Sequence, residues 1–141
     1  MVNAQAWLDE NYLLSRRNEV TKLNTGNKNL TGELKLVGFG NLTVLNCWNN
    51  QLTTIDLSSC PSLTRLYCSD NQLTKLDVNK CPNLTEFSCN NNKLENLNFF
   101  KELENCQFLF LDNNPFTGIL EVPQNFSKLK FPAAEVRCVY R

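Results

Sequence analysis

Apolar side chains return along this chain at a fixed interval. Leu42, Leu45, Cys47 and Leu52 are matched 21 residues later by Leu63, Leu66, Cys68 and Leu73, and again by Leu84, Phe87, Cys89 and Leu94. Less regular copies flank these three, with Val20, Leu23, Thr25 and Leu30 before them and Cys106, Leu109, Leu111 and Phe116 after them. Inside a copy, Leu45-Asn46-Cys47 alternates apolar and polar, which is the period of a strand with one buried face. The segments Leu52-Thr-Thr-Ile55-Asp-Leu57 and Leu73-Thr-Lys-Leu76-Asp-Val78 alternate likewise and predict extended chain rather than helix. Pro61 and Pro82 end those segments and turn the chain back. Near the N-terminus the period changes. Ala4, Trp7 and Leu8, at i, i+3 and i+4, predict a short amphipathic helix within residues 3–14.

Four copies carry an asparagine at one fixed place: Asn50, Asn71, Asn92 and Asn114, with Lys28 standing there in the first copy. The position falls where the chain must leave the strand, and a side-chain amide there can pair backbone groups that would otherwise be buried alone. An asparagine ladder is therefore expected. The residue before each rung, Asn91 for instance, is expected to face solvent and to tolerate alanine. A frame L-x-x-L-x-L-x-x-N-x-L repeating every 20–29 or so residues is similar to that of the leucine-rich repeat family, and the chain resembles that family over residues 20–125. The resemblance implies a mainly β, right-handed solenoid of five repeats starting near 20, 42, 63, 84 and 106. Its concave side is a parallel sheet, with Leu45, Leu66, Phe87 and the cysteines Cys47, Cys68 and Cys89 stacked inward, and its convex side is extended. Solenoids need their apolar ends covered. Residues 1–19 are expected to form an N-terminal helical cap containing Trp7, and residues 126–141 an irregular segment or a partial sixth repeat around Leu129 and Phe131.

Composition narrows the chemistry. Fourteen Lys plus Arg against fourteen Asp plus Glu give a formal charge of zero, which argues against nucleic acid or a basic membrane-surface role. With no histidine in the chain, histidine triads, general bases, metal ligands and pH switches are excluded. No apolar run approaches the ~18 residues of a membrane span. Seven cysteines are an odd number, and they sit at frame positions, which reads as free thiols serving as small core hydrophobes. A cytoplasmic chain is the expectation; a leader removed beforehand would place it outside the cell. The tripeptides beginning at Asn29, Asn41, Asn83 and Asn125 match glycosylation acceptors, as an Asn- and Thr-rich chain does by chance.

The repeat frame leaves the outward strand side chains unexplained. They read off in columns: Lys22, Val44, Arg65, Glu86, Phe108; then Asn24, Asn46, Tyr67, Ser88, Phe110; then Gly26, Trp48, Ser69, Asn90, Asp112, with Asp70 and its equivalents beside the last. Aromatics mixed with arginine are what protein-binding hot spots favour. The expected function is a non-catalytic scaffold that binds a protein or peptide on the concave face through Val44, Asn46, Trp48, Arg65, Tyr67, Asp70, Glu86, Ser88, Asn90, Phe108, Phe110 and Asp112. The C-terminal edge is a candidate for self-association. Two further readings stay open. The aromatics with Asn49, Asp70, Asn90 and Asn91 could hold a glycan or small polar ligand, and the cysteine columns, with Cys60 and Cys81 forming a second one, could serve a thiol-dependent metal or redox role. Against the latter stand the absence of C-x-x-C and an apolar surround that raises thiol pKa values. Asp56 and Asp77 recur through duplication, and Gly38-Phe-Gly40 lies in no strand–loop–helix pattern. No catalytic residue, metal or cofactor is expected.

Overall fold

The computed structural model describes residues 1–96 and 103–117, and the backbone of the strands Ile119–Val122 and Arg137–Tyr140. Each repeat gives one three-residue strand to a single parallel sheet: β2 (Lys22–Asn24), β4 (Val44–Asn46), β6 (Arg65–Tyr67), β7 (Glu86–Ser88) and β8 (Phe108–Phe110), in that order. The register is unshifted throughout, so Leu23, Leu45, Leu66, Phe87 and Leu109 form one row and their neighbours on either side form two more. Five strands delimit about four turns of a parallel solenoid.

The row of Leu23 points inward, and two residues on in each coil come Thr25, Cys47, Cys68, Cys89 and Leu111, all buried. Leucines 30, 52, 73 and 94 follow on the way out of the sheet, and the buried apolar side chains form one continuous cluster. Every coil thus supplies the same rungs, and a coil alone could not bury them. The convex side begins as a second parallel sheet, β1 (Val2–Asn3), β3 (Leu30–Lys35) and β5 (Gln51–Asp56), in the order β1-β3-β5 with a bulge at Gly32/Glu33. The equivalent segment of the next coil carries no strand but still buries Leu73, Leu76 and Val78. Among the described residues the expected extended convex side is therefore present, and it pairs as strands in its first part only.

Helix α1 (Ala4–Asn11) caps the first coil. Asn3 starts it by accepting from Ala6 N at 2.9 Å, and Ala4 and Leu8 are fully buried beneath it while Trp7 packs at its margin. Two turns of 3-10 helix, Leu14–Glu19, follow. From it Arg17, 3% exposed, runs under the cap. Its guanidinium donates to Tyr12 O at 3.0 Å, Val37 O at 3.1 Å and Asp9 Oδ1 at 2.7 Å, and lies 5.3 Å over the Phe39 ring. A buried cation is tolerable because each face of it is matched. Gly38, at φ +90°, lets the chain pass beside Arg17 Cβ. Beyond the described coils, Ile119–Val122 (β9) and Arg137–Tyr140 (β10) pair in parallel. The rest of 126–141, with Leu129 and Phe131, lies outside the described residues.

The turns out of the concave sheet use two consecutive residues in different ways. Asn71 is buried: its amide donates to Cys47 O (3.0 Å) and Cys68 O (3.2 Å), and its oxygen accepts from Leu52 N at 3.0 Å. Asn50, Asn92 and Asn114 repeat those bonds one coil apart. The residues before them, Asn49, Asp70, Asn91 and Asn113, and Asn27 before Lys28 in the first coil, are exposed, but all have φ between 52° and 58°. That left-handed region penalises an ordinary side chain and is tolerated by Asn and Asp. Asn91 also donates to Asp70 Oδ1 at 2.6 Å and accepts from Asn113 Nδ2 at 2.7 Å. The expectation that alanine is neutral at Asn91 is therefore corrected, because the left-handed backbone there suits Asn, whose short polar side chain bonds locally, better than Ala.

Asn71→Ala is expected to lose about 3 kcal/mol, since buried donors and acceptors on two coils are left unpaired. Asn91→Ala should lose about 1 kcal/mol through its backbone, and Asn91→Gly, which keeps the left-handed conformation, distinctly less. Urea unfolding of the three variants checks the order; equal losses at Asn71→Ala and Asn91→Gly would contradict this account of the turns.

Candidate functional site

The strand side chains that point away from the core line the concave wall. On β4, Val44 and Asn46 are half-buried, and Asn46 Oδ1 accepts from Trp48 N at 3.3 Å, which sets the chain direction just past the strand. Trp48 itself is 38% exposed. Its indole lies back over the preceding coil against Gly26, where a Cβ would stand 2.6 Å from Nε1 and 2.8 Å from Cδ1.

The next two strands carry the polar centre of the wall. Tyr67 on β6 donates from its hydroxyl to Glu86 Oε2 on β7 at 2.5 Å, and Arg65 Nε lies 3.7 Å from the other oxygen of the same carboxylate. Burial, and then the bond to Glu86, push the Tyr67 phenol above its usual range. The arginine contact is long and solvated, so it contributes little to stability and leaves most of the guanidinium open. Ser88 Oγ meets Ser69 Oγ at 2.5 Å. At the far end, on β8, Phe108 and Phe110 stand 38% and 39% exposed on the same side of the strand.

Besides Trp48, three of the expected residues lie past the strands. Asp70 is held in the turn by its φ of 58° and by Asn91, so it belongs to the rim rather than the floor. Asn90 and Asp112 each turn an oxygen, Oδ1, into the wall, where neither has a hydrogen-bond partner. The wall therefore gathers Trp48, Tyr67, Arg65, Glu86, Phe108 and Phe110 on one regular surface, with Asp70 apart from it. The C-terminal edge proposed for self-association continues into residues that lie outside the described ones. What the sequence reading missed is the row of left-handed residues at the rim. A signal for it exists: an Asn or Asp precedes the rung position in all five coils.

Among the described residues the cysteines pack inward. Cys47, Cys60, Cys68, Cys81, Cys89 and Cys106 are free and buried. Burial pushes the thiols of Cys47 and Cys60 up to about 12, those of Cys81 and Cys106 up to about 11, and those of Cys68 and Cys89 well above the usual value. Sulfur finds weak acceptors instead, Cys68 Sγ to Ser88 O at 3.3 Å and Cys81 Sγ to Cys60 O at 3.4 Å. Among the described residues no three Cys, Asp or Glu side chains gather as a metal set.

A family model described as leucine-rich repeats (2 copies) matches residues 40–80 and 61–102. The chain is similar in structure to the functional domain of InlJ from Listeria monocytogenes, which includes a cysteine ladder, at a TM-score of 0.58 and 25% identity over 84% of this chain and 32% of that one. It is also similar to the internalin InlF from the same organism, at a TM-score of 0.53 and 17% identity over 92% of this chain and 53% of that one. It spans less than two thirds of either. No curated protein matches it.

The thiols supply a test of the packing. A pKa raised by folding means that the stability the thiols confer is complete below the unfolded value of about 8.5 and is lost as pH rises toward the folded values. In a Cys138→Ser variant, ultraviolet thiolate absorbance should appear from about pH 8.5 in urea but only near pH 11 in the folded protein, with the urea midpoint falling across that window. Thiolate absorbance rising at the same pH in both states would refute burial of the column.

Proposed function

The chain is a leucine-rich repeat protein, and on that footing we propose that it is a non-catalytic scaffold whose concave face docks a protein or peptide. Scaffolds of this fold are typical protein-interaction domains. The observation that carries the reading is the exposure of Phe108 and Phe110 on a sheet whose other face is closed core, and of Trp48 just past its second strand. Large aromatic side chains standing in water on a rigid surface, with an arginine between them, are the composition of an interface centre. Tyr67 and Glu86 support it by holding a polar bridge across the middle of the wall, so that the ends are apolar and the centre offers hydrogen bonds. A formal charge of zero favours recognition by shape and local contacts over long-range attraction.

Peptides selected from a random library on the immobilised full chain provide the ligand for a test. Tyr67→Ala and Arg65→Ala should each weaken binding by about tenfold, about 1.4 kcal/mol. Their melting temperatures should stay near that of the parent, because both side chains lie outside the core. Full affinity retained in both variants would overturn the assignment of the concave face.

A further inference from the structure

Beside the concave wall, where the first two coils turn, an open pocket of about 240 Å³ is lined by Asn27, Asn29, Asn49, Asn50 and Gln51. Every one of these side chains is an uncharged carboxamide. Two pairs lock each other: Asn49 Nδ2 donates to Asn27 Oδ1, and Gln51 Nε2 donates to Asn29 Oδ1 at 2.7 Å. Those bonds decide which end of each amide faces which way. Nδ2 of Asn27 and of Asn29 remain as donors on the first coil. Oδ1 of Asn49 and Oε1 of Gln51 remain as acceptors on the second, one strand spacing of about 4.8 Å away. Asn50, whose amide is consumed by Thr25 O, Cys47 O, Lys28 N and Leu30 N, closes the back.

The groups are held rather than loose. Asn27, Asn29 and Asn49 are fixed at φ of 56°, 57° and 52°, and Gln51 begins strand β5. Lys28 sits between the two donors in sequence, but its ammonium lies 5.3 Å over the Trp7 ring, so no charged side chain lines the pocket. Trp48, which precedes Asn49, turns its indole back against Gly26 and does not line the pocket. The backbone of Gly26 is not left-handed, so what the missing side chain provides there is room for the ring.

We propose that this rim binds one unit of a neutral glycan, independently of any protein bound on the concave wall. Sugar hydroxyls both accept and donate, so neighbouring hydroxyls match a donor row facing an acceptor row. An anion would meet the acceptors of Asn49 and Gln51, and a cation the donors of Asn27 and Asn29, so the pocket selects against both.

The full chain would be titrated calorimetrically with neutral oligosaccharides of glucose, N-acetylglucosamine, mannose and galactose, and with an acidic oligogalacturonate. At least one neutral sugar should bind at millimolar concentration or below, and the acidic one should not. Asn49→Gly, which keeps the left-handed backbone, and Gln51→Ala should each weaken that binding by about tenfold. Arg65→Ala should leave it unchanged, which separates this site from the peptide-docking face. No heat with any neutral sugar, a preference for the acidic one, or full affinity in both amide variants would overturn the proposal.

Discussion

Each coil of this molecule must leave its strand within a few residues, and it does so where water cannot reach the backbone it bends. Carbonyls of Cys47, Cys68 and Cys89 and amides of Leu30, Leu52, Leu73 and Leu94 would be stranded there if no side chain met them. Four asparagines meet them, each spanning two coils with one flat group. The rest of the architecture depends on that fit. Turns this short allow a 21-residue coil, and the three-residue strands leave a narrow concave wall on which few side chains decide what is recognised.

The architecture was legible because a solenoid writes the same environment into the sequence several times. Leu45, Leu66 and Phe87 share a register in the sheet because they share a register in the chain, and any one copy corrects the reading of its neighbours. The irregularities were not legible, since each depends on a contact made once. Arg17 reads as one more charged residue near the N-terminus; only the convergence of Tyr12 O, Val37 O and Asp9 at one point explains its burial. The loss of convex strand pairing after β5 has no counterpart in the alternation of Leu73 to Val78, which matches that of β5 closely.

The candidate site lay between these cases. Which residues face out follows from strand period, so the columns through Val44, Arg65 and Tyr67 could be read directly. What those residues do to one another could not. Glu86 is partly consumed by Tyr67 and Arg65, Asp70 is drawn into the turn by its backbone, and Trp48 lies backward because Gly26 leaves it space. Pairing within the wall thus subtracts charge from it and leaves the aromatic surface as its most distinctive property.

The spanning asparagines also give the molecule a direction. Asn71 completes the coil before its own: Leu52 N and Cys47 O wait for a residue about twenty positions further along the chain. Asn92 does the same for Leu73 N and Cys68 O, and Asn114 for Leu94 N and Cys89 O. Each of these turns is thus sealed by the coil that follows it. The dependence runs one way along the chain: a coil taken away uncovers the buried turn of the coil before it, and leaves the coil after it with its own turn intact.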